Sequence, residues 1–258
     1  NANDAYGKVI YSTDNGASWK DIKNFGHPVF WVALDPNNPN TLYASVIHST
    51  QGGIYITKNL QDGAGATWTK LPAPPRTEGH PASIVVLNDG YVVCTYSGHR
   101  NPDFTASSGC FLYNPTNNTW ADVSDNGMKY WTKDIVIDPN DPSQNTWLVG
   151  VFSGWKIPAA VGVGGLYRTT NRGQSWTRIW KSDRVTSCTF NPANPAEMYV
   201  TTEVEGLWYS GNANAASPIF SLVESYPFRQ PERVYFNPFK SDEMWVTSFG
   251  HGMRVGNI

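Results

Sequence analysis

The chain has 258 residues and a formal net charge of −2, a balance that gives no electrostatic reason to expect a nucleic-acid partner. No apolar stretch reaches the roughly 20 residues that a helix needs to cross a bilayer, so we expect no membrane span. Eleven Trp, thirteen Tyr, 23 Gly and 18 Pro, with only 16% charged residues, indicate many short strands joined by tight turns. The composition therefore predicts an all-β fold.

A polar turn closed by an aromatic residue recurs along the chain. Residues 12–19 read STDNGASW, and residues 169–176 read TTNRGQSW. The aromatic residues that close such turns are Trp19, Trp68, Trp120, Trp176 and Phe220. They recur at intervals of roughly 44 to 56 residues, which is typical of a repeat architecture.

A second motif alternates with the polar turn. An apolar residue, then Asp or Asn, then Pro occurs at residues 34–36, 137–139, 190–192 and 236–238. An Asp-Gly hairpin at residues 85–93 takes its place between the first two copies. One repeat thus contains four strands: the first precedes the Pro turn, the second follows it, the third ends in the polar turn, and the fourth begins with the aromatic. This pattern predicts a β-propeller of four-stranded antiparallel blades.

In chain order, the first segment, residues 8–22, supplies only a third and a fourth strand. Four complete repeats follow, near residues 28–72, 82–123, 132–180 and 185–223. The last segment, residues 232–246, supplies a first and a second strand, with residues 253–255 as a possible further strand. Either the last strands complete the first blade, or the chain is a fragment of a larger propeller. We expect about five to seven blades and one propeller domain, or propeller fragment, over residues 1–258.

The turn STDNGASW resembles the Asp-box, or bacterial neuraminidase repeat, of sialidases, sortilin-like receptors and two-propeller xyloglucanases. In this turn we expect Asp14 to accept backbone N–H groups, Gly16 to adopt a positive φ, and Trp19 to pack between neighbouring sheets. Asn171 replaces the Asp in the second copy. We interpret these turns as structural and exclude Asp14 from any active site.

The two kinds of connection predict where function lies. Because strand direction alternates in a blade, both repeated turns fall on one side, which we call the turn side. The variable connections fall on the opposite side, the loop side, where we expect the binding site. Aromatic rings and Arg side chains there suit a sugar, and as substrate-binding candidates we name Tyr130, Trp131, Trp155, Tyr226, Arg100 and Arg233. Aromatic filling between blades is the alternative interpretation.

Asp134 begins the first strand of its repeat, five residues before Pro139. The same count from the other Pro turns reaches Trp31, Ser187 and Arg233. A carboxylate buried there needs a partner or a shifted pKa.

The segment around Asp134 is similar to the one that carries the catalytic acid of two-propeller xyloglucanases. The resemblance implies that Asp134 donates a proton and that a second carboxylate activates water, at roughly 6.5 to 9.5 Å in an inverting pair. We name Glu205 for the second role, with Glu203 and Asp103 as other candidates. In that family the base comes from another propeller, which this chain does not match. The alternative is a structural Asp134 paired with Lys133, Arg184, Arg233 or a backbone turn.

The sequence thus favours a secreted, extracellular or periplasmic glycoside hydrolase acting on a polysaccharide such as xyloglucan. A noncatalytic propeller that binds a glycan or a protein, as sortilin-like receptors and adhesion modules do, is the alternative. The partners we expect are a polysaccharide or oligosaccharide and the remainder of a larger propeller protein. Five His without ligand spacing predict no metal site, and no cofactor is expected.

The sequence leaves the pairing of the cysteines open. Cys94 and Cys110 flank a connection whose midpoint is near Pro102, so they could lie opposite one another. A disulfide and two free thiols are both consistent with the spacing.

Overall fold

The computed structural model describes residues 7–97, 107–154 and 162–257. These residues form β-strands and one short 3₁₀ segment, Leu60–Gly65, and they contain no α-helix. No helix among them is long and apolar enough to span a bilayer. They fall into two compact units, the first ending at residue 123 and the second beginning at residue 124.

The first unit contains three antiparallel sheets, one of two strands and two of four strands. Its strands are β1 Lys8–Tyr11, β2 Lys20–Asn24, β3 Val29–Asp35, β4 Asn38–Val46, β5 Gly53–Thr57, β6 Thr69–Lys70, β7 Pro81–Val86, β8 Val92–Tyr96, β9 Gly109–Asn114 and β10 Thr119–Asp122. In each sheet, strands adjacent in sequence are hydrogen-bonded neighbours.

The second unit contains two four-stranded sheets and one three-stranded sheet, all antiparallel. Its strands are β11 Trp131–Ile137, β12 Trp147–Phe152, β13 Gly165–Thr169, β14 Thr177–Lys181, β15 Val185–Asn191, β16 Asn194–Thr202, β17 Leu207–Ser210, β18 Ser221–Leu222, β19 Pro231–Phe236, β20 Glu243–Ser248 and β21 Gly252–Asn257. The last three strands form the three-stranded sheet.

The sheets confirm the predicted repeat. The four complete sheets span residues 29–70, 81–122, 131–181 and 185–222, within two residues of the predicted repeats. The possible strand near residues 253–255 is present as β21, which supplies the third strand of the last sheet. The all-β fold of β-propeller blades is therefore confirmed.

The first strand of each repeat packs against the first strand of the next within each unit. In the second unit β15 contacts both β11 and β19, and in the first unit β3 contacts β7. Six of the seven residues of β15 are buried. Apolar side chains of the second and third strands, such as Leu148, Leu166 and Val200, fill the space between neighbouring sheets. This packing places the start of each first strand among neighbouring first strands.

The polar turns share one hydrogen-bond arrangement. An Asp or Asn carries a side-chain oxygen that accepts from a hydroxyl two residues before it and from the backbone N–H of the residue before the closing aromatic. The four copies are Ser12, Asp14 and Ser18; Thr57, Asn59 and Thr67; Thr169, Asn171 and Ser175; and Ser210, Asn212 and Ile219. Hydrogen bonds from Ser18 and Ser12 lower the pKa of Asp14 to about 2, so donors within the turn satisfy its carboxylate.

Two of the closing aromatic residues, Trp68 and Phe220, pack against neighbouring sheets. Trp68 lies against Phe25 at 5.2 Å, and Phe220 lies against Trp180 at 4.9 Å, measured between ring centroids. Trp19 is instead 60% exposed, so the expectation that it packs between sheets is wrong for this copy. The Trp19 ring lies beside Gly16 of its own turn, and the sheet that carries it has only two strands.

The three cysteines are buried and free. Cys94 pairs with Phe111 across the ladder, and Cys110 pairs with Thr95. Residues directly opposite in an antiparallel pair project to the same face, so the side chains of Cys94 and Cys110 project to opposite faces. The spacing argument placed the register one residue away from its position in the structure. Burial raises the pKa of all three thiols.

Candidate functional site

On the loop side of each unit, backbone hydrogen bonds join neighbouring connections to one another. In the second unit, the N–H of Ser153 donates to the carbonyl of Asp183 at 2.7 Å, and the N–H of Glu203 donates to the carbonyl of Arg184 at 2.9 Å. In the first unit, the N–H of His48 donates to the carbonyl of Gly79 at 2.9 Å. Each bond joins the end of a second strand to the connection that leads into a first strand. The starts of the first strands therefore lie beneath these connections.

Every described first strand has an irregularity in its pairing near its start. The register shifts fall between Val29 and Trp31, Pro81 and Ile84, Thr132 and Ile135, Val185 and Ser187, and Pro231 and Arg233. A β-bulge adds one residue to one strand and re-aims the side chains beside it. This repeated bulge was not predicted from the sequence. In the second unit Lys133, Asp134, Glu232 and Arg233 lie at such bulges.

Asp134 lies at the bulge of β11 and is buried, with 6% of its surface exposed. The hydroxyl of Ser187 donates to its Oδ2 at 2.6 Å, and Nη2 of Arg233 contacts the same oxygen at 2.5 Å. These are the residues reached by counting five positions back from three successive Pro turns. Asp134 is therefore held by a hydroxyl and a guanidinium from the next two first strands.

Further charged groups surround this pair. Arg184 contacts Glu203 at 2.8 Å and Asp183 at 3.3 Å. Glu232, at the bulge of β19, has a raised pKa because burial disfavours its charged form. Lys133 lowers that pKa, Glu203 raises it and Arg233 lowers it, so all three act on Glu232 electrostatically. We call Lys133, Asp134, Arg184, Glu203, Glu232 and Arg233 the charged cluster.

Two of the predicted aromatic residues adjoin the charged cluster. Tyr130 is fully buried, and its ring lies 5.2 Å from that of the half-buried Trp131. The ring of Trp131 lies 5.8 Å from that of Phe152, and the ammonium of Lys133 lies within 6 Å of both these rings. Trp131 is therefore the aromatic with surface left for a ligand, whereas Tyr130 is part of the core.

Glu205 lies in the turn between β16 and β17. Its side chain accepts a hydrogen bond from the Ser182 hydroxyl, and its backbone N–H donates to Oγ1 of Thr202 at 2.9 Å. Its carbonyl accepts from the Trp208 indole at 3.1 Å. These hydrogen bonds hold Glu205 in the turn. Its role as the second catalytic carboxylate stays a prediction.

The remaining predicted residues divide between packing and the part of the chain outside the described residues. Tyr226 packs beside Leu207, Val234 and Val246 in the last complete sheet and its successor. Burial raises its pKa. Arg100 and Trp155 lie outside the described residues, as does Asp103.

Sequence reasoning did not single out Glu232. Its signal is positional, because it lies six residues before Pro238, as Lys133 lies six before Pro139. Both positions fall within the bulges, but the sequence does not indicate a bulge there. Among the described residues, no group of three or more His, Cys, Asp or Glu side chains is arranged to hold a metal ion.

On the loop side of the first unit, the described residues form a small cavity and no comparable cluster of charges. The cavity has a volume of about 120 Å³, and Lys70, Glu78 and Tyr96 are among the residues that line it. That volume is below the roughly 300 to 1,000 Å³ of typical ligand pockets. The charged cluster is therefore the stronger candidate site.

These features define the chain as β-propeller blades with a charged site at the start of the first strands. A xyloglucanase from Paenibacillus sp is 26% identical over 274 residues, which cover 95% of this chain and 24% of that protein. The chain thus resembles xyloglucanase-type glycoside hydrolase propellers. It spans about a quarter of the length of this relative, and no family model matches it.

Two solved structures show the same fold at lower identity. A GH74 enzyme from Niastella koreensis matches with a TM-score of 0.69 at 17% identity, over 98% of this chain and 40% of that one. A chain of the nidogen/laminin complex matches with a TM-score of 0.65 at 12% identity, over 98% of this chain and 87% of that one. Structural likeness at these identities establishes the fold alone, so activity has to be argued from the site.

Proposed function

We propose that this chain is part of a xyloglucanase-like glycoside hydrolase that cleaves a polysaccharide at the loop side of its second unit. The observation that carries the proposal is the charged cluster around the buried Asp134–Arg233 pair, in a chain similar to a xyloglucanase over 95% of its length. Buried charges are costly, and a structural role alone is served as well by apolar residues. Their presence at the edge where variable loops meet supports a functional role.

The cluster provides the carboxyl groups that glycoside hydrolysis uses. An inverting enzyme needs one protonated carboxyl group beside the leaving oxygen and one ionised carboxylate beside the attacking water. In our proposal Asp134 holds Arg233 in position through their ion pair. Trp131 offers a ring face against which a sugar stacks.

The proposal extends to cellular location and to the larger protein. A polysaccharide does not cross a membrane, so an enzyme that cleaves it acts outside the cytoplasm. The chain spans about a quarter of the Paenibacillus protein, and we propose that further propeller blades of a longer protein complete the binding groove. We also assign the four polar turns to the Asp-box class on the basis of their shared hydrogen bonds.

The test compares the protein with its Asp134→Asn variant on xyloglucan and other β-glucans, measuring the release of reducing ends. We expect hydrolysis of at least one polymer by the wild type. Loss of the Arg233 anchor lowers kcat/KM by about tenfold or more, an effect expected from misplaced catalytic groups. Asp242→Asn, at an exposed aspartate on the turn side, is the matched control and keeps full activity. An Asp134→Asn variant as active as the wild type would show that the charged cluster takes no part in hydrolysis.

A noncatalytic glycan-binding propeller is the second candidate. The observation that favours it is the ion pair itself, since Arg233 and Ser187 both bind the Asp134 carboxyl group and give it a structural role. If the wild type hydrolyses no polymer but binds xyloglucan oligosaccharides saturably in calorimetry, this candidate replaces the first.

A further inference from the structure

The residue three positions before each turn proline begins a row of side chains that crosses its sheet. Strand pairing extends the row from the first strand through the second to the third. The four rows are Ala33, Tyr43 and Ile56; Val136, Leu148 and Arg168; Thr189, Tyr199 and Tyr209; and Tyr235, Trp245 and Val255. Residues directly opposite in antiparallel strands project to the same face, so each row marks one face of its sheet. We call this face the successor face.

Three of the four successor faces are buried against the next sheet of the same unit. Each row shares an apolar cluster with the first strand of that sheet: Tyr43 with Ile84, Leu148 with Cys188, and Tyr199 with Val234. The second-strand residue of each of these rows is buried. The successor face is therefore the surface on which one blade docks onto the next.

The successor face of the last sheet is exposed. Tyr235 is 45% exposed and Val255 is 57% exposed, and Trp245 between them is half-buried. The opposite face of the same sheet is packed, because Val234 and Val246 are buried in a cluster with the preceding sheet. Contiguous apolar side chains that cross three strands and remain exposed are typical of an interaction surface.

The three buried interfaces show which chemistry fits a successor face. Each docking sheet offers two apolar pairs that join its first strand to its second. They are Ile84 with Cys94 and Val86 with Val92; Cys188 with Val200 and Phe190 with Met198; and Val234 with Val246 and Phe236 with Met244. The partner that fits the exposed face is therefore another β-sheet with two such pairs.

We propose that a further blade of a longer protein docks on the successor face of the last sheet, over Tyr235, Trp245 and Val255. This inference rests on the proposal that the chain is part of a longer protein, and it assigns the surface at which that protein continues. The chain spans about a quarter of the Paenibacillus relative, so sequence for further blades exists in that protein. The docking repeats an interface that the chain already forms three times.

A second copy of the chain fits this face less well than a further blade does. The matching apolar pairs with exposed members are Val32 with Ala44 and Leu34 with Leu42, in the sheet that begins with β3. Ala44 and Leu42 lie in a cluster with Val9 and Ile22 of the two-stranded sheet. That sheet already covers half of each pair, so only β3 remains for a second copy to cover.

The docked blade borders the candidate site. Arg233 contacts Asp134, and its guanidinium carbon lies 6.0 Å from the centroid of the Tyr235 ring. The Arg233 side chain is 22% exposed. A blade that covers Tyr235 therefore also withdraws Arg233 from solvent. The exposed face and the charged cluster are thus adjacent parts of one strand, β19.

The first experiment measures access to the face through a single thiol. Val255→Cys introduces that thiol, and the three native cysteines are buried. In residues 1–258 we expect a maleimide to modify it as fast as the exposed control, Asp242→Cys. In the protein expressed from its complete gene, we expect modification at position 255 to be slower by about tenfold or more, because burial limits reaction to local opening. Position 242 should react equally in both. Equal rates at position 255 would overturn the inference.

Protein concentration distinguishes the other occupants of this face. For residues 1–258, slow modification of Val255→Cys that becomes slower with increasing concentration would show that a second copy binds there. Slow modification at every concentration would show that the chain covers the face by itself. Either result would overturn the assignment to a further blade. Sedimentation velocity on the same samples measures whether the chain self-associates.

The second experiment measures stability and does not depend on activity. In the complete protein, Val255→Lys places a charge against the docked sheet, and we expect Tm to fall by about 3 °C or more. The same change in residues 1–258, and the control Asp242→Lys in either protein, should leave Tm nearly unchanged. An unchanged Tm in the complete protein would overturn the inference. Protection of position 255 in a protein that hydrolyses no polymer would support the docking surface and refute the proposed activity, whereas hydrolysis without protection would refute the docking surface alone.

Discussion

Two carboxyl groups of the second unit differ in the hydrogen-bond donors that the protein offers them. They are Asp141 on the turn side and Glu232 on the loop side. Asp141 accepts from the backbone N–H groups of Asn145 at 2.9 Å and Thr146 at 2.8 Å, and also from Ser143. These hydrogen bonds lower its pKa to about 2. Glu232 has a raised pKa and no such donors among the described residues. An acidic residue in this fold is therefore a candidate for chemistry only where its own turn leaves it unsatisfied.

The largest expected effect comes from breaking the buried ion pair of the site. Arg233→Met removes the cation beside Asp134, whose side chain is 5% exposed. Loss of one member of a buried pair costs about 3 to 5 kcal/mol, and we expect the lower end because Arg233 is 22% exposed. Urea denaturation measures the change in the free energy of unfolding.

The matched control for this prediction is Arg229→Met, an exposed arginine of the neighbouring connection. The double variant Asp134→Asn with Arg233→Met should cost less than the sum of the two single changes, since the second change removes a charge already left without its partner. A cost below about 1 kcal/mol for Arg233→Met would show that the pair is energetically like a surface salt bridge.

A smaller effect is expected on the turn side. Asp141→Asn places an amide group where backbone N–H groups require an acceptor, and we expect a loss of about 1 to 2 kcal/mol at pH 7. A carboxyl group with a lowered folded pKa stabilises the protein above its unfolded pKa of 3.8 and loses that contribution as pH falls through about 2. The difference in Tm between wild type and variant should therefore be constant from pH 5 to 8 and shrink between pH 4 and 2.

Asp242→Asn controls for the loss of an exposed charge on the same side. A gap in Tm between wild type and Asp141→Asn that persists unchanged at pH 2 would contradict the account of Asp141, because the carboxylate would then not be the stabilising species.

The smallest expected effect concerns Glu205, whose hydrogen bonding is intermediate between that of Asp141 and that of Glu232. Glu205 is on the loop side but accepts a hydrogen bond from the buried Ser182 hydroxyl. Ser182→Ala should lower the free energy of unfolding by about 0.5 to 1 kcal/mol, the net value of one hydrogen bond, while the exposed Ser221→Ala changes it little. If kcat of Ser182→Ala falls only as far as the folded fraction falls, Glu205 has a structural role like that of Asp141. If kcat falls while the free energy of unfolding is unchanged, Glu205 is again a catalytic candidate.

Counting from the Pro turns predicted which residues meet at the site. Asp134, Ser187 and Arg233 all lie five residues before a Pro, and Ser187 and Arg233 both contact Asp134 in the structure. Equal positions in successive repeats come together because neighbouring first strands pack side by side. The same counting overlooked Glu232, since a bulge is a property of strand pairing and has no residue signature of its own here.

The cysteines illustrate the limit of such counting. An offset of one residue in the pairing of β8 with β9 places the Cys94 and Cys110 side chains on opposite faces of the sheet. The sequence of the long connection between these strands does not specify that offset. Side-chain contacts along the whole ladder decide it.

The sequence by itself determined the repeat, the four strands of each complete blade, and the polar turns, because their hydrogen bonds join residues only a few positions apart. The tertiary structure decided which carboxyl groups are satisfied at the site. Asp134 meets partners 53 and 99 residues away, and burial together with the charge of Glu203 raises the pKa of Glu232. Burial and charge at that distance depend on how sheets pack, and a local pattern of residues does not encode them.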